Sequence, residues 1–183
     1  MPDAASLDLT AGATVEAWVK PSSVSGWRSV VMKEDPTNSD LSYAVYGSSS
    51  GTGAGGFVRS GSTTKDARNA STLSTGAWTH VAMTYDGSNV RYYQGGTLVA
   101  TSAASGNLNT TTGALSIGGN SVWGEWFAGT IDDVRVYYRA LSATEIATDR
   151  DTPVAATTTT VAYTRDAADR ITKRTVNGAT AAK

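Results

Sequence analysis

Apolar and polar residues alternate along much of the chain. In residues 14–20, Val15, Ala17 and Val19 fall on one face of an extended chain, and Glu16 lies on the other. Comparable runs occur at residues 27–33, 41–47, 78–86, 90–94, 97–102, 114–119 and 129–138. Short strands that recur at regular spacing with glycine-rich connections are typical of β-sandwiches. The pattern therefore predicts an all-β fold, a sandwich of two antiparallel sheets.

One segment has the signature of a helix instead. Ser142 is followed three residues later by Glu145, the spacing of a capping box, in which each side chain binds the backbone N–H of the other residue. Leu141 and Ile146 occupy the positions of a hydrophobic staple at the same helix start. We predict one short helix near residues 142–149, at the end of the sandwich.

The composition of the chain changes after residue 150. Residues 151–160 contain Pro153 and four successive threonines, which indicates an extended linker. Residues 161–183 contain two short strand-like pieces, with too little apolar surface to fold alone. The expected organisation is a sandwich domain at 1–150, a threonine-rich linker at 151–160 and a β-prone tail at 161–183.

Charge and composition exclude several classes of function. The 183 residues carry a net charge of −1, so no basic field is available to hold a phosphate backbone, and nucleic acid is a poor candidate partner. Cysteine is absent, which removes disulfides, thiolate metal sites and a cysteine nucleophile. The chain shows neither a signal peptide nor an apolar run long enough to span a membrane, so we expect any export signal to lie outside it.

Three segments together resemble one family. They are "SLDLTAGATVEAWVKP" (6–21), "WTHVAMTYDG" (78–87) and "FAGTIDDVRVYYRALSATEI" (127–146). Their combination, in this order, resembles the laminin G-like / concanavalin A-like jelly-roll modules of secreted and cell-surface proteins, over about residues 2–148. The resemblance implies a jelly-roll sandwich that is secreted or displayed on a cell surface as part of a longer chain.

The tail resembles a different family. The segment "YTRDAADRITKRT" (163–175) is similar to one copy of the tyrosine–aspartate repeat of RHS proteins. Five residues match that repeat and two depart from it: Tyr163, Asp166, Arg170, Ile171 and Thr172 against Arg165 and Asp169. One repeat cannot bury its own apolar face and needs neighbours. The resemblance implies that the sandwich precedes an RHS shell in a larger exported protein.

Members of the jelly-roll family usually carry a further strand ahead of the segment that begins at residue 2. In the family this strand lies beside the one that corresponds to residues 129–138, so the resemblance implies an open sheet edge there. An open edge exposes unpaired backbone groups and recruits another strand. We expect residues 157–164 of the tail, or the tail of a second molecule by strand exchange or dimerisation, to fill the edge at 129–138.

Glu16 is a glutamate within an apolar strand, and it has two interpretations. Sandwich glycosidases place several carboxylates along one strand, as in Glu-x-Asp-x-x-Glu, but no such spacing occurs here, and the adjacent Asp132 and Asp133 are predicted to point to opposite faces. The family fold places strand 14–20 near strand 129–138, so a structural brace between Glu16 and Arg135 is favoured over catalysis. His80, the single histidine, lacks a marked acid or nucleophile partner and is predicted to be structural.

The segment "KEDPTNSD" (33–40) is the best candidate for a metal site. Glu34, Asp35, Asn38 and Asp40 supply oxygen ligands on one loop, which suits calcium. The spacing does not match an EF-hand, and an ordinary solvated turn explains the same residues. Calcium is therefore the only cofactor that the sequence proposes.

Tryptophans suggest a sugar site, because sugars stack their apolar faces on aromatic rings and bind amides and acids through their hydroxyls. The segment "NSVWGEW" (120–126) places Trp123 beside Asn120 and Glu125, and Trp27 is predicted to lie on a loop as well. For Trp123 a binding role and a structural role both remain open. Core packing is predicted for the other three tryptophans, Trp18, Trp78 and Trp126.

Three classes of function follow. The favoured class is a non-catalytic recognition module that binds a glycan or a surface protein. The second is a structural or docking spacer within an RHS-type exported protein. The third, a glycosidase-like enzyme, is disfavoured because no catalytic set of carboxylates is present. Fold alone does not determine the ligand.

Overall fold

The computed structural model describes residues 1–50, 53–154, 159–165 and 171–178. The chain divides into two units, Met1–Thr152 and Pro153–Lys183, and each is described by itself. None of the helices within these described ranges is long and apolar enough to cross a membrane.

The first unit is a sandwich of two antiparallel five-stranded sheets, which confirms the predicted fold class. Its strands in chain order are β1 (Ala13–Pro21), β2 (Arg28–Asp35), β3 (Asp40–Ser48), β4 (Gly55–Ser60), β5 (Thr63–Arg68), β6 (Thr79–Tyr85), β7 (Asn89–Gln94), β8 (Thr97–Ala103), β9 (Leu115–Ile117) and β10 (Gly129–Tyr137). The first sheet has the order β10-β1-β6-β7-β8, and the second has the order β5-β4-β3-β2-β9. A 3₁₀ turn at Ala5–Leu7 precedes β1.

The core lies between the two sheets, as the alternation predicts. Val15, Ala17 and Val19 of β1 are fully buried in it, together with inward residues of the facing sheet such as Val45. β4 and β5 lie in a segment for which the alternation predicts no strand. One inward position of β4 is Gly56, where a Cβ atom would lie within 2.5 Å of two Met83 side-chain atoms, so the close approach of the two sheets requires glycine there.

A β-bulge interrupts β10. The register against β1 shifts between Glu16 and Trp18, and Asp133 has a φ of +47°. The extra residue lets Ile131 and Val134 both face the core, although they are three positions apart. Asp132 and Asp133 therefore do not follow the simple alternation that predicted opposite faces, and the bulge brings Arg135 directly opposite Glu16.

The first sheet ends at β10, whose sheet partner among the described strands is β1. The beginning of the chain lies elsewhere: the amino group of Met1 donates to the Leu115 carbonyl at 2.7 Å, and the Leu115 N–H donates to the Met1 carbonyl at 3.1 Å. Leu115 belongs to β9 of the second sheet. Met1 therefore lies beside β9 of the second sheet.

The second unit contains two described strands, β11 (Thr159–Arg165) and β12 (Ile171–Gly178), which form an antiparallel sheet of their own. Within this unit β11 pairs with β12, and the prediction that segment 157–164 fills the edge at 129–138 stays a prediction. Neighbouring strands close a short loop, which costs less chain entropy than pairing with a distant strand. Residues 155–158 and 166–170, which include the predicted repeat residues Asp166 and Arg170, lie outside the described residues. Strand exchange between molecules stays a prediction.

The predicted helix is α1 (Ala143–Asp151). Its capping box is present: the Glu145 N–H donates to Ser142 Oγ at 3.3 Å, and the Ser142 N–H donates to Glu145 Oε2 at 2.8 Å. Ile146 is fully buried against the outer face of the first sheet, where it packs with Ala82 and Tyr93. The helix thus covers the face of the sheet that carries Glu16.

Arg135 fastens the end of this helix to β10. Its guanidinium donates to the backbone carbonyl of Asp149 at 2.7 Å and to that of Thr152, and it lies 3.4 Å from Glu16 Oε1. Tyr137, on the same strand, donates its hydroxyl to Asp149 Oδ2 at 2.8 Å. A cation at the C-terminus of a helix also compensates the helix dipole.

Glu16 is 0% exposed beneath the helix. Burial, and then the neighbouring Asp149 carboxylate, raise the pKa of Glu16 from its ordinary 4.5 to about 8, although Arg135 acts in the opposite direction. His80 Nε2 lies 3.8 Å from Glu16 Oε2, and burial followed by the charges of Arg135 and Arg150 lowers the pKa of His80 to about 4. Both groups are therefore neutral at pH 7, and no substrate can reach the carboxyl.

We expect Arg135→Ala to lower the free energy of unfolding by about 1–3 kcal/mol, because two helix carbonyls and Glu16 lose their donor. The control is Arg91→Ala, which removes an exposed pair with Asp86 at 2.5 Å and should change stability by less than about 1 kcal/mol. Urea unfolding of the two variants makes the comparison. Equal losses would contradict the bracing role of Arg135.

The Glu16→Gln variant should become more stable than the wild type as the pH rises. The pKa of Glu16 is raised in the folded state, so its contribution to stability is present below about pH 4.5 and is lost as the pH rises through about 8. Glutamine keeps the shape and has no proton to lose. The difference in unfolding free energy should grow by up to about 1 kcal/mol per pH unit across this window.

Thermal and urea unfolding of both proteins from pH 5 to pH 9 checks this dependence. His80 acts in the other direction: its contribution is present above about pH 6.5 and is lost as the pH falls through about 4. Both proteins contain His80, so this loss cancels in the difference between them. A stability difference between the two proteins that stays constant across the range would show that Glu16 is ionised in the folded state.

Candidate functional site: an aromatic groove on the second sheet

The second sheet is apolar on both of its faces. Val45 of β3 points into the core, while Ala44 and Tyr46 on the same strand point outward. On this outer face they pack with three other buried side chains, those of Met32, Leu41 and Phe57. An outer face of this kind needs a cover, and the cover comes from residues outside the strands.

Three aromatic rings, two on strands and one ahead of β2, form a floor on this face. Trp27 precedes β2, and its ring meets Tyr46 edge-on with centroids 5.1 Å apart. The Tyr46 and Phe57 rings are 5.0 Å apart at 69°, and Trp27 and Phe57 are 5.7 Å apart. Edge-to-face contacts of this kind hold each ring in one orientation.

A hairpin at residues 118–127 forms one wall. The Phe127 N–H donates to the Gly118 carbonyl at 3.1 Å, and the Asn120 N–H donates to the Glu125 carbonyl at 3.2 Å. Asn120 is 1% exposed, and its side-chain oxygen accepts the N–H of Trp123 at 2.8 Å. The Trp123 side chain remains 45% exposed near the tip of the hairpin.

Glu125 joins the hairpin to the sheet. Its Oε2 accepts the Tyr46 hydroxyl at 2.6 Å and the Asn120 side-chain amide at 2.9 Å. Burial, strengthened by the bond to Glu125, raises the pKa of Tyr46 well above its ordinary value, so its hydroxyl stays a donor. The carboxylate is therefore fixed in position by two neutral groups.

Glu34, one of the predicted calcium ligands, anchors the same hairpin from β2. Its carboxylate accepts the Ser116 hydroxyl at 2.6 Å, the Ser121 N–H at 2.9 Å and the Ser121 hydroxyl at 2.6 Å. Burial alone would raise the pKa of Glu34, but the hydrogen bonds from Ser116 and Ser121 outweigh it, and the pKa is lowered. Glu34 thus positions the loop that carries Trp123.

These elements enclose a cavity of about 320 Å³, called the aromatic groove below. Its lining consists of Trp27, Asp40, Leu41, Tyr46, Phe57, Thr64, Trp123 and Glu125. Apolar ring surface with a few fixed polar groups is the usual composition of a small-molecule site.

The structure brings the predicted sugar-site residues together. Trp27, Trp123 and Glu125 all line the aromatic groove. Asn120 forms hydrogen bonds with Trp123 and Glu125 and so orients both. The prediction did not include Tyr46 or Phe57. The signal for Tyr46 was present in the segment at 41–47, where residues of both parities are apolar, which indicates a strand covered on both faces. Phe57 lies on β4, which the alternation did not predict.

The other tryptophans differ from the prediction of core packing. Trp78 is 44% exposed, because it precedes β6 and does not lie within the strand. Trp126 is 61% exposed, although one edge of its ring lies against Gly119. Trp18 is half-buried on the outer face of the first sheet, with its ring 5.6 Å from His80.

The remaining predicted calcium ligands have other contacts. Asp35 accepts the N–H and the side-chain amide of Asn38, at 3.2 and 2.7 Å, and Asp40 pairs with Arg59. Glu34 faces the hairpin, so the four residues do not converge on one point. In the described part of the chain, no group of three or more histidine, cysteine, aspartate or glutamate side chains is arranged to hold a metal ion.

Solved structures share this fold at low sequence identity. Domain 4 of AbnA, a GH43 extracellular arabinanase from Geobacillus stearothermophilus in complex with arabinotriose, has a TM-score of 0.65 and 23% identity, over 82% of this chain and 70% of that chain. The CBM40 of a Ruminococcus gnavus IT-sialidase, bound to α2,3-sialyllactose, has a TM-score of 0.63 and 20% identity, over 78% and 84%. A putative carbohydrate-binding protein from Bacteroides ovatus has a TM-score of 0.63 and 19% identity, over 93% and 54%.

A comparison with curated proteins finds no match. The Laminin_G_3 family model, described as concanavalin A-like lectin/glucanases superfamily, matches residues 1–147. This match covers the sandwich through most of α1 and ends before the tail, and no comparison supports the tyrosine–aspartate repeat predicted there. The chain belongs to the concanavalin A-like lectin/glucanases superfamily.

Proposed function

We propose that this protein is a non-catalytic carbohydrate-binding module and that the aromatic groove is its sugar site. One observation carries the proposal. Trp123 stands 45% exposed above a floor of three aromatic rings, and the carboxylate of Glu125 is held beside it by Tyr46 and Asn120. A sugar ring presents an apolar C–H face and a rim of hydroxyls, which are the two surfaces that this groove complements.

The groove is also preorganised, because its polar groups are held in place before a ligand binds. The hairpin is held by backbone bonds, by the Glu34 anchor and by Glu125, so its polar groups have little freedom left to lose when a ligand binds. Binding that orders few side chains keeps more of its interaction energy as affinity.

The structural neighbours support the proposal as analogies. The arabinanase domain was solved with arabinotriose and the sialidase module with sialyllactose. Domains of this superfamily are thus used to hold oligosaccharides in those proteins. By the same analogy we propose that this module acts outside the cell, within an exported or surface-displayed protein.

The carboxylates favour binding over hydrolysis. Glycoside hydrolysis needs two acids flanking the bond, one of them with a raised pKa. Glu16 has such a pKa, but it is completely buried beneath α1 on the other sheet. In the aromatic groove, Asp40 is paired with Arg59 and Glu125 accepts two hydrogen bonds. Release of reducing sugar from the oligosaccharides that bind would overturn the non-catalytic assignment.

The second candidate function is a structural or docking spacer in an RHS-type protein. The pairing of β11 with β12 favours it, because a hairpin with an open edge can be extended by further strands. In that case the sandwich would bind another part of the same assembly and the aromatic groove would have no sugar ligand.

Replacing Trp123 with alanine tests the sugar site. We expect the affinity for a bound oligosaccharide to fall about tenfold or more, because a stacking surface is lost while the bonds of Asn120 and Glu125 remain. The matched control is Trp78→Ala, since Trp78 is 44% exposed and lies outside the aromatic groove.

A glycan array selects the ligand, and calorimetry measures the wild type and both variants. Unchanged melting temperatures show that the variants are folded. If both variants bind as the wild type does, the aromatic groove is not the sugar site. If the array stays blank, the spacer function takes precedence.

Calcium at residues 33–40 remains a proposal with its own test. An ion that binds only the folded protein raises the melting temperature by mass action. If Asp35, Asn38 and Asp40 rearrange to bind calcium, millimolar calcium should raise the melting temperature relative to chelator, and Asp35→Asn should abolish the increase. Identical melting curves in calcium and in chelator would remove this site.

A further inference from the structure

Two of the cations near the aromatic groove form ion pairs with nearby carboxylates. Asp40, in its lining, is paired with Arg59. Arg68 lies over the Phe57 ring, with its guanidinium carbon 5.7 Å from the centroid, and it is paired with Asp66 at 2.5 Å. Each of these two cations thus has its own carboxylate, and neither adds net positive charge to the groove.

Glu125 differs from the other acids near the groove. Its Oε2 is bound by a tyrosine hydroxyl and an amide, which are neutral donors. Among the described residues, no cation forms an ion pair with Glu125. In the described lining of the groove, Glu125 is thus the carboxylate that has no cationic partner.

The second oxygen of Glu125 is open to a ligand. No hydrogen bond within the described part of the chain is made to Oε1, and the side chain is half-buried in the lining of the groove. A carboxylate oxygen accepts strong hydrogen bonds from hydroxyl groups, which every sugar offers. The same oxygen repels a carboxylate on the ligand.

We propose that the aromatic groove selects uncharged sugars and that Glu125 is the residue that determines this specificity. Glu125 accepts a hydroxyl of the sugar through Oε1 and disfavours sugars that carry a carboxylate, such as sialic acid. The inference rests on the proposed sugar-binding function and goes further by naming the ligand class. It also separates this protein from the sialidase module of similar fold, which was solved with sialyllactose.

The size of the effect follows from Coulomb's law. Two negative charges about 6 Å apart in partly wet surroundings repel enough to weaken binding by roughly tenfold. Salt screens such repulsion, since the Debye length falls to about 3 Å at 1 M. Stacking on Trp123 and hydroxyl bonding are not screened in this way, so charge selectivity and basic affinity can be measured separately.

The experiment compares matched ligands on the whole chain. Lactose and 3′-sialyllactose differ by one charged sugar, and arabinotriose is a second neutral probe. Calorimetry is done with wild type, Glu125→Gln and Trp123→Ala, at low and at high salt. Glutamine keeps the shape and the acceptor oxygen of Glu125 but removes the charge, and melting temperatures check that the hairpin is intact.

We expect the wild type to bind at least one neutral probe about tenfold or more tightly than 3′-sialyllactose at low salt. The ratio should shrink in high salt and in Glu125→Gln, while Trp123→Ala weakens binding of the neutral probe. Equal or tighter binding of 3′-sialyllactose that still depends on Trp123 would overturn the specificity and leave the sugar site in place. Failure of all three probes, together with a blank glycan array, would overturn both proposals.

Discussion

The two hydrogen bonds accepted by Glu125 Oε2 hold the candidate site together. They join Tyr46, in the middle of the second sheet, to Asn120 of the hairpin at 118–127. Without them the hairpin would keep its own backbone bonds and the Glu34 anchor, but it would lose its direct link to the aromatic floor. Together with the Glu34 anchor, this carboxylate determines where the hairpin and Trp123 lie relative to the sheet.

Three buried or half-buried glutamates in this protein illustrate how surroundings determine the role of a carboxyl group. Glu34 receives three hydrogen bonds from Ser116 and Ser121, which outweigh the effect of burial and keep it ionised. Glu16 is buried beside Asp149 with only a long contact to Arg135, so burial prevails and it stays protonated at pH 7. Glu125 has two neutral donors at Oε2, and it is the one of the three that lines the aromatic groove.

The sandwich uses its two outer faces for different purposes. On the first sheet, α1 covers Glu16 and His80, and the contacts of Arg135 and Tyr137 with Asp149 close that face. On the second sheet, the cover is a hairpin, which leaves space above the rings of Tyr46 and Phe57. The helix α1 is capped at its start and bound to β10 at its end, so it covers its face closely. The hairpin is held to the second sheet by Glu34 and Glu125 and leaves a groove. This difference in cover, more than the shared fold, places the candidate function on the second sheet.

The sequence alone determined those features that depend on neighbouring residues. Alternation predicted the faces of β1 and β6, the spacing of Ser142 and Glu145 predicted the start of α1, and the glycine-punctuated segment around Trp123 was read as a loop between two strands. Only the tertiary structure decided which loop lies over which face. Tyr46 and Glu125 are 79 positions apart, and Glu34 and Ser121 are 87 apart, so no local pattern records either contact.

The same reason explains what local patterns missed. The sequence predicts Glu34 as a calcium ligand from its acidic neighbours, and this stays a prediction; it could not show that the hydrogen-bond partners of Glu34 come from a distant loop. The bulge at Asp133 was invisible to strict alternation, because an extra residue is accommodated by pairing with β1 and by packing against the core. The alternation of apolar and polar residues indicates which side of a strand faces the core. Contacts between residues far apart in the sequence decide what covers the other side.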